Sequence, residues 1–116
     1  MNVKEFYTEI KGNYNDALAI MMNETLIARM ITKFISSNSI EQMVSFYENK
    51  DYRQLFAAAH SLKGVAGNLA LTPLFELASF ITEATRNSND VNLDKEIQAL
   101  KDTYNLIKEK YLLYIA

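Results

Sequence analysis

The sequence predicts an all-α protein, an antiparallel up-down-up-down four-helix bundle with short accessory N-terminal helices. Three observations predict it. Only three glycines and one proline interrupt 116 residues; no alternating apolar strand pattern of any length occurs; and apolar residues recur every three or four positions through most of the chain. With 49% hydrophobic and 22% charged residues, the chain has enough material for one core. Residues 1–116 are therefore expected to be one domain, with short helices over about 3–21 and the bundle over about 24–115.

The elements follow from local signals. Val3 to Ile10 and Tyr14 to Met21, separated at Gly12-Asn13, are two short helices expected to lid one end of the bundle. Asn23 is placed to cap a longer helix to about Ile35, with Leu26, Ile27, Met30, Phe34 and Ile35 as its apolar face. Ser36 to Ser39 interrupts it. Ser39 and Gln42 have capping-box spacing and open a further short amphipathic helix, an accessory element carrying Ile40, Met43, Val44 and Tyr47 up to a turn at Asn49-Lys50. Asp51 with Gln54 repeats that spacing at the start of the next helix. Thr72 followed by Pro73 is a cap with proline at the first helical position, and Leu74, Leu77, Ala78 and Ile81 supply its stripe to about Arg86. Asn87 to Asp90 is a polar break. Leu93, Ile97, Leu100, Tyr104, Ile107, Tyr111 and Tyr114 then form a seam with a period of about 3.5 residues, suited to a left-handed bundle. The four long helices are expected at about 24–36, 52–69, 73–87 and 91–115.

Composition excludes several classes of function. The net charge of −2 and pI near 5.4 give no electrostatic footprint for nucleic acid or an anionic membrane. The chain has no cysteine, so disulfides and thiolate chemistry are absent, and its single histidine rules out a typical zinc cluster. A metal-carboxylate bundle enzyme, which wants Glu-x-x-His motifs on two helices, is set aside for the same reason. No run approaches the ~20 apolar residues of a membrane span, and the expected location is the cytoplasm. Neither a P-loop nor a kinase signature is present, so no ATP binding is expected.

The single histidine lies in the stretch Asp51 to Leu69, DYRQLFAAAHSLKGVAGNL. Leu55, Ala59, Leu62, Ala66 and Leu69 mark one apolar stripe. At about 100° per residue, His60 lies roughly 140° from its centre, with Arg53, Phe56, Gly64 and Gly67 on the same side and Lys63 at the border. His60 should therefore point outward. Gly64 and Gly67 each cost a helix interior about 1 kcal/mol relative to alanine. At i+4 and i+7 from His60 they leave a bare strip of backbone that another protein could approach. Lys63, at i+3, is placed to reach an anion on the imidazole as a point charge. On their own, a lone histidine or a lone lysine on a helix is most often a polar surface residue. Phe56 suits a core edge and a partner's docking patch equally.

The run H-S-L-K-G-V-A-G-N-L from His60 to Leu69, with Ala59 before it, resembles the signature of histidine-containing phosphotransfer domains, the HPt modules of two-component phosphorelays. The similarity extends through Asn49 to Tyr52 and through Leu74 to Arg86. It departs at Ala70, where the family usually has glycine. An antiparallel turn centred near Leu71 would bring Thr82 level with His60. Many members carry an acidic residue at that place and a basic or amide residue one turn later, and this chain has Thr82 and Arg86 there. The missing carboxylate leaves open how the imidazole is held. Glu83 is adjacent to Thr82 but about 100° round the helix.

What the resemblance implies is a phosphocarrier, not an enzyme. His60 would accept a phosphoryl group from a receiver-domain aspartyl phosphate and pass it to another receiver aspartate. Lys63, Gly64, Gly67, Phe56, Arg86 and Thr82 would form the phosphate and partner surface. No cofactor is expected on this chain, and the divalent metal belongs to the partner receiver. The expected partners are response-regulator receivers or a hybrid histidine kinase, met by a monomer, with no nucleic acid and no membrane. The alternative is an adaptor that docks such proteins through the exposed face of the His60 helix without phosphotransfer.

Overall fold

The computed structural model describes residues 1–87 and 90–116. Seven α-helices follow one another among them: α1 (Val3–Glu9), α2 (Tyr14–Met21), α3 (Glu24–Ser36), α4 (Ser39–Glu48), α5 (Tyr52–Asn68), α6 (Thr72–Thr85) and α7 (Asp94–Tyr114). The all-helical expectation holds, and no strand occurs among the described residues. The polar break expected at Asn87 to Asp90 lies partly outside them.

Four helix starts are capped by Asn or Asp side chains, those at Asn23 and Asp51 as the sequence indicates. The side chains of Asn2, Asn13, Asn23 and Asp51 accept the backbone N–H groups of Glu5, Asp16, Leu26 and Gln54 at 2.8–3.2 Å, which satisfies donors that have no partner inside the helix. Two starts differ. Ser39 and Thr72 are the first residues inside α4 and α6, and the cap positions belong to Asn38 and Leu71, neither of which makes a side-chain cap bond. The Ser39 hydroxyl pairs instead with that of Ser37 at 2.9 Å. At α6 the buried Leu71 is drawn into the core and takes the cap position, leaving Pro73 in the first turn, where its missing N–H costs nothing.

The core stripes fall where the periodicity places them. Leu55, Ala59, Leu62, Ala66 and Leu69 are buried, and so are Leu74, Ala78 and Ile81 of α6 and Leu93, Ile97, Leu100, Tyr104 and Ile107 along α7. α5 and α6 form a helical hairpin with the most extensive packing in the molecule, and α6 also packs on α7. The short helix α4, expected as an accessory, packs on both α5 and α7 through Ile40 and Met43. α3 leans on α1, α2 and α7. It faces α5 across an open groove of about 450 Å³, lined on the α3 side by Met30 and Phe34 and on the α5 side by Ala58, Ser61, Leu62 and Val65. Small side chains at Ala58 and Ser61 leave that space unfilled.

The N-terminal helices close the end of the bundle where α5 terminates. The buried Tyr7 hydroxyl donates to the Leu69 carbonyl at 2.6 Å, the Asn13 N–H donates to the Ala70 carbonyl at 3.0 Å, and the Asn2 N–H donates to the Tyr114 carbonyl at 2.8 Å. Burial holds the Tyr7 phenol in its neutral, donating form by pushing its pKa up. Gly12 makes the close approach possible, because a Cβ there would lie 2.8 Å from the Ala70 carbonyl oxygen and 2.8 Å from the Tyr7 ring.

The end of α5 is a Schellman turn: the Leu71 N–H reaches the Ala66 carbonyl at 2.9 Å and the Ala70 N–H reaches that of Gly67 at 3.1 Å. Ala70 holds a left-handed φ of 51°, a conformation that costs an L-residue about 1–2 kcal/mol. Ala70→Gly is therefore expected to stabilise the protein by about 0.5 kcal/mol, net of the extra freedom glycine gives the unfolded chain. Thermal unfolding would show this as a rise of roughly 2–4 °C, and a fall in the midpoint would show that the Ala70 methyl contributes more by packing than it costs by strain.

Candidate functional site

His60 stands exposed near the middle of α5, on the side away from the core stripe. A cleft of about 320 Å³ opens beside it, lined by His60, Lys63, Gly64, Gly67, Asn68 and Phe75. Gly64 has nothing within 4 Å of where a Cβ would stand, so the backbone one turn beyond the imidazole is bare, as the sequence suggests. Gly67 serves a different purpose. A Cβ there would meet the Phe75 ring at 3.3 Å, so this glycine lets α6 pack its aromatic side chain against α5, and it contributes to the cleft wall without being a free strip.

Lys63 is half-buried at the border of the exposed face and forms no ion pair among the described residues. Arg86 is engaged elsewhere. Its Nε and Nη2 donate to the two carboxylate oxygens of Glu83 at 3.1 and 2.7 Å, and its guanidinium carbon lies 5.5 Å from the centroid of the Phe56 ring. The hydrogen bonds and charge of Arg86 hold the Glu83 carboxyl below the usual carboxylate range, with a smaller contribution from Lys63. Phe56 is half-buried and stacks on His60 with ring centroids 6.1 Å apart and planes 12° from parallel.

Thr82 does not reach this surface. It is fully buried, and its hydroxyl donates to the Ala78 carbonyl at 2.7 Å, with Thr85 bonding back to Ile81 in the same way. The antiparallel register predicts a surface position for it, level with His60. The side chain is instead turned toward the core, where an i−4 backbone bond satisfies its hydroxyl.

A model of the Hpt domain family matches residues 22–110. The chain belongs to that family. No curated protein and no solved structure matches it. Hpt domains are phosphocarrier modules that serve histidine phosphotransfer in two-component phosphorelays, where they meet receiver domains and histidine kinases. The match takes in α3 to α6 and most of α7, and α1 and α2 lie outside it.

Within this Hpt domain, the sequence signals found His60, Lys63 and Gly64 at the cleft but gave no site role to Phe75 or Asn68. Asn68 lies eight residues after His60, about 80° round the helix, and that angle was a usable signal. Phe75 comes from the next helix and had none. Among the described residues, no helix is long and apolar enough to cross a membrane.

Proposed function

We propose that His60 is the phosphorylated residue, accepting a phosphoryl group from a receiver aspartyl phosphate and returning it to another receiver aspartate. The observation that carries this reading is the exposed imidazole of an Hpt domain at a cleft whose neighbouring turn, at Gly64, is stripped of side chain. A neutral imidazole offers a nitrogen lone pair. The N–P bond forms as the P–O bond to the receiver carboxylate breaks, and the reverse step regenerates the imidazole. Catalysis is mainly positioning and charge stabilisation, and the divalent metal held by the receiver supplies most of the latter. Lys63 adds a cation from this side.

The receiver fits the same surface. Bare backbone at Gly64 admits its active-site loops, and the apolar groove between α3 and α5, which shares Asn68 with the His60 cleft and is lined by the exposed Val65, gives a partner something to bury. The carrier acts as a cytoplasmic monomer. Incubation with each phosphorylated receiver of the same cell, followed by peptide mapping, should place acid-labile phosphate on His60. Binding without any label would establish the adaptor instead.

Lys63→Met tests the charge. Methionine keeps most of the apolar stem and the helix propensity, so stability should move by no more than ~0.5 kcal/mol. Phosphorylation should slow about tenfold, because a charge-assisted contact made in the transition state is worth roughly 1.5–3 kcal/mol. Arginine should restore part of the rate. Equal rates for lysine and methionine at low salt, where charge effects are largest, would remove Lys63 from the site.

A further inference from the structure

The exposed imidazole raises a question of orientation. The last torsion of a histidine side chain is broad and roughly two-fold, yet in-line transfer needs the ring nitrogen aimed at phosphorus. No hydrogen bond from protein side chains holds the ring among the described residues, and Thr82, which the sequence would bring level with it, is buried and bonded within its own helix. What the imidazole does have is the Phe56 ring, nearly parallel to it with centroids 6.1 Å apart, within the range over which aromatic pairs interact. Phe56 is itself held. The Arg86 guanidinium lies 5.5 Å from its centroid, within cation–π range, and Glu83 fixes that guanidinium through two hydrogen bonds.

We propose that Phe56 is a positioning residue for His60, orienting the imidazole plane for phosphoryl transfer through a stack braced by the Glu83–Arg86 pair. This rests on the reading of His60 as the phosphorylated residue. The arrangement runs from α6 to α5, so the hairpin that forms most of the core also sets the angle of the reactive ring. Stacking differs from a carboxylate clamp in one chemical respect: it orients the ring without bonding either nitrogen. Both tautomers stay available, one nitrogen to take the phosphoryl group and the other to hold or release the proton.

The test measures transfer against the concentration of a phosphorylated receiver. Phe56→Leu keeps apolar volume but removes the stack, and the maximal rate should fall about three- to tenfold, while the half-saturating receiver concentration changes less than twofold. Phe56→Tyr should return the rate to within twofold of the starting protein. A Phe56 that affects transfer only through the fold, without stacking on His60 in solution, would not move the next readout. In NMR spectra of the unphosphorylated protein, the carbon-bound imidazole protons of His60 should lie upfield of their positions in Phe56→Leu and be retained there in Phe56→Tyr. Equal maximal rates for phenylalanine and leucine, or tyrosine as slow as leucine, would overturn the proposal. So would imidazole protons that do not shift, an outcome readable even if the leucine variant is too unstable for kinetics, because phenylalanine and tyrosine can be compared with free histidine. If the unaltered protein takes no phosphate from any receiver, the reading of His60 fails and the positioning role falls with it. If it transfers and only the variant comparison fails, the phosphorylation site stands without the stack.

Discussion

His60→Gln should leave the protein folded and remove its capacity to carry phosphate. The imidazole lies outside the buried stripe of α5 and contributes nothing to the core, and glutamine is as good a helix former as most residues. The loss in stability is limited to the contact with Phe56, about 0.5–1.5 kcal/mol at most for an aromatic pair. Glutamine has no nucleophilic nitrogen. Uptake of acid-labile phosphate from a receiver should therefore fall to background, with an unchanged circular dichroism spectrum and a thermal midpoint lowered by no more than about 10 °C. Label persisting in that variant would show that another group carries the phosphate.

Gly64→Gln should separate stability from transfer more sharply than any other substitution. Nothing lies within 4 Å of the position a Cβ would take, so the fold has room for the new side chain. Replacing a mid-helix glycine then gains about 0.5–1 kcal/mol of helix propensity. The same side chain would project one turn beyond His60 into the surface a receiver must approach. Displacing reacting groups by as little as 1 Å can cost about 100-fold, and a loss of that order is expected. The two measurements to compare are the thermal midpoint, which should rise, and the rate of phosphorylation by a receiver. Transfer at the original rate would show that the bare turn is not where the partner comes close.

Much of the fold was legible because α5, α6 and α7 repeat apolar residues at helical spacing without ambiguity. Leu55 to Leu69 and Leu93 to Ile107 are buried as their periods require. Caps were legible where an Asn or Asp side chain is short enough to reach the third N–H, as at Asn23 and Asp51. They were misread at Ser39 and Thr72, whose placement depended on a neighbouring hydroxyl and on the burial of Leu71. The weight of α4 in the core was also hidden. Its length gave no sign that it would pack on both α5 and α7, because that depends on which helices the loops bring beside it.

The sequence by itself determined an all-helical chain, the outward direction of His60, the border position of Lys63 and the bare turn at Gly64, since each depends only on angles within one helix. Tertiary structure decided everything that needed a second helix. It turned Thr82 into the core, filled the space beside Gly67 with Phe75, and set the Arg86 guanidinium over the Phe56 ring. The physical reason is that periodicity states which way a side chain leaves its own axis but carries no record of what the facing helix puts there. That is set by the crossing and rotation of α5 against α6, which the packing of both stripes settles together.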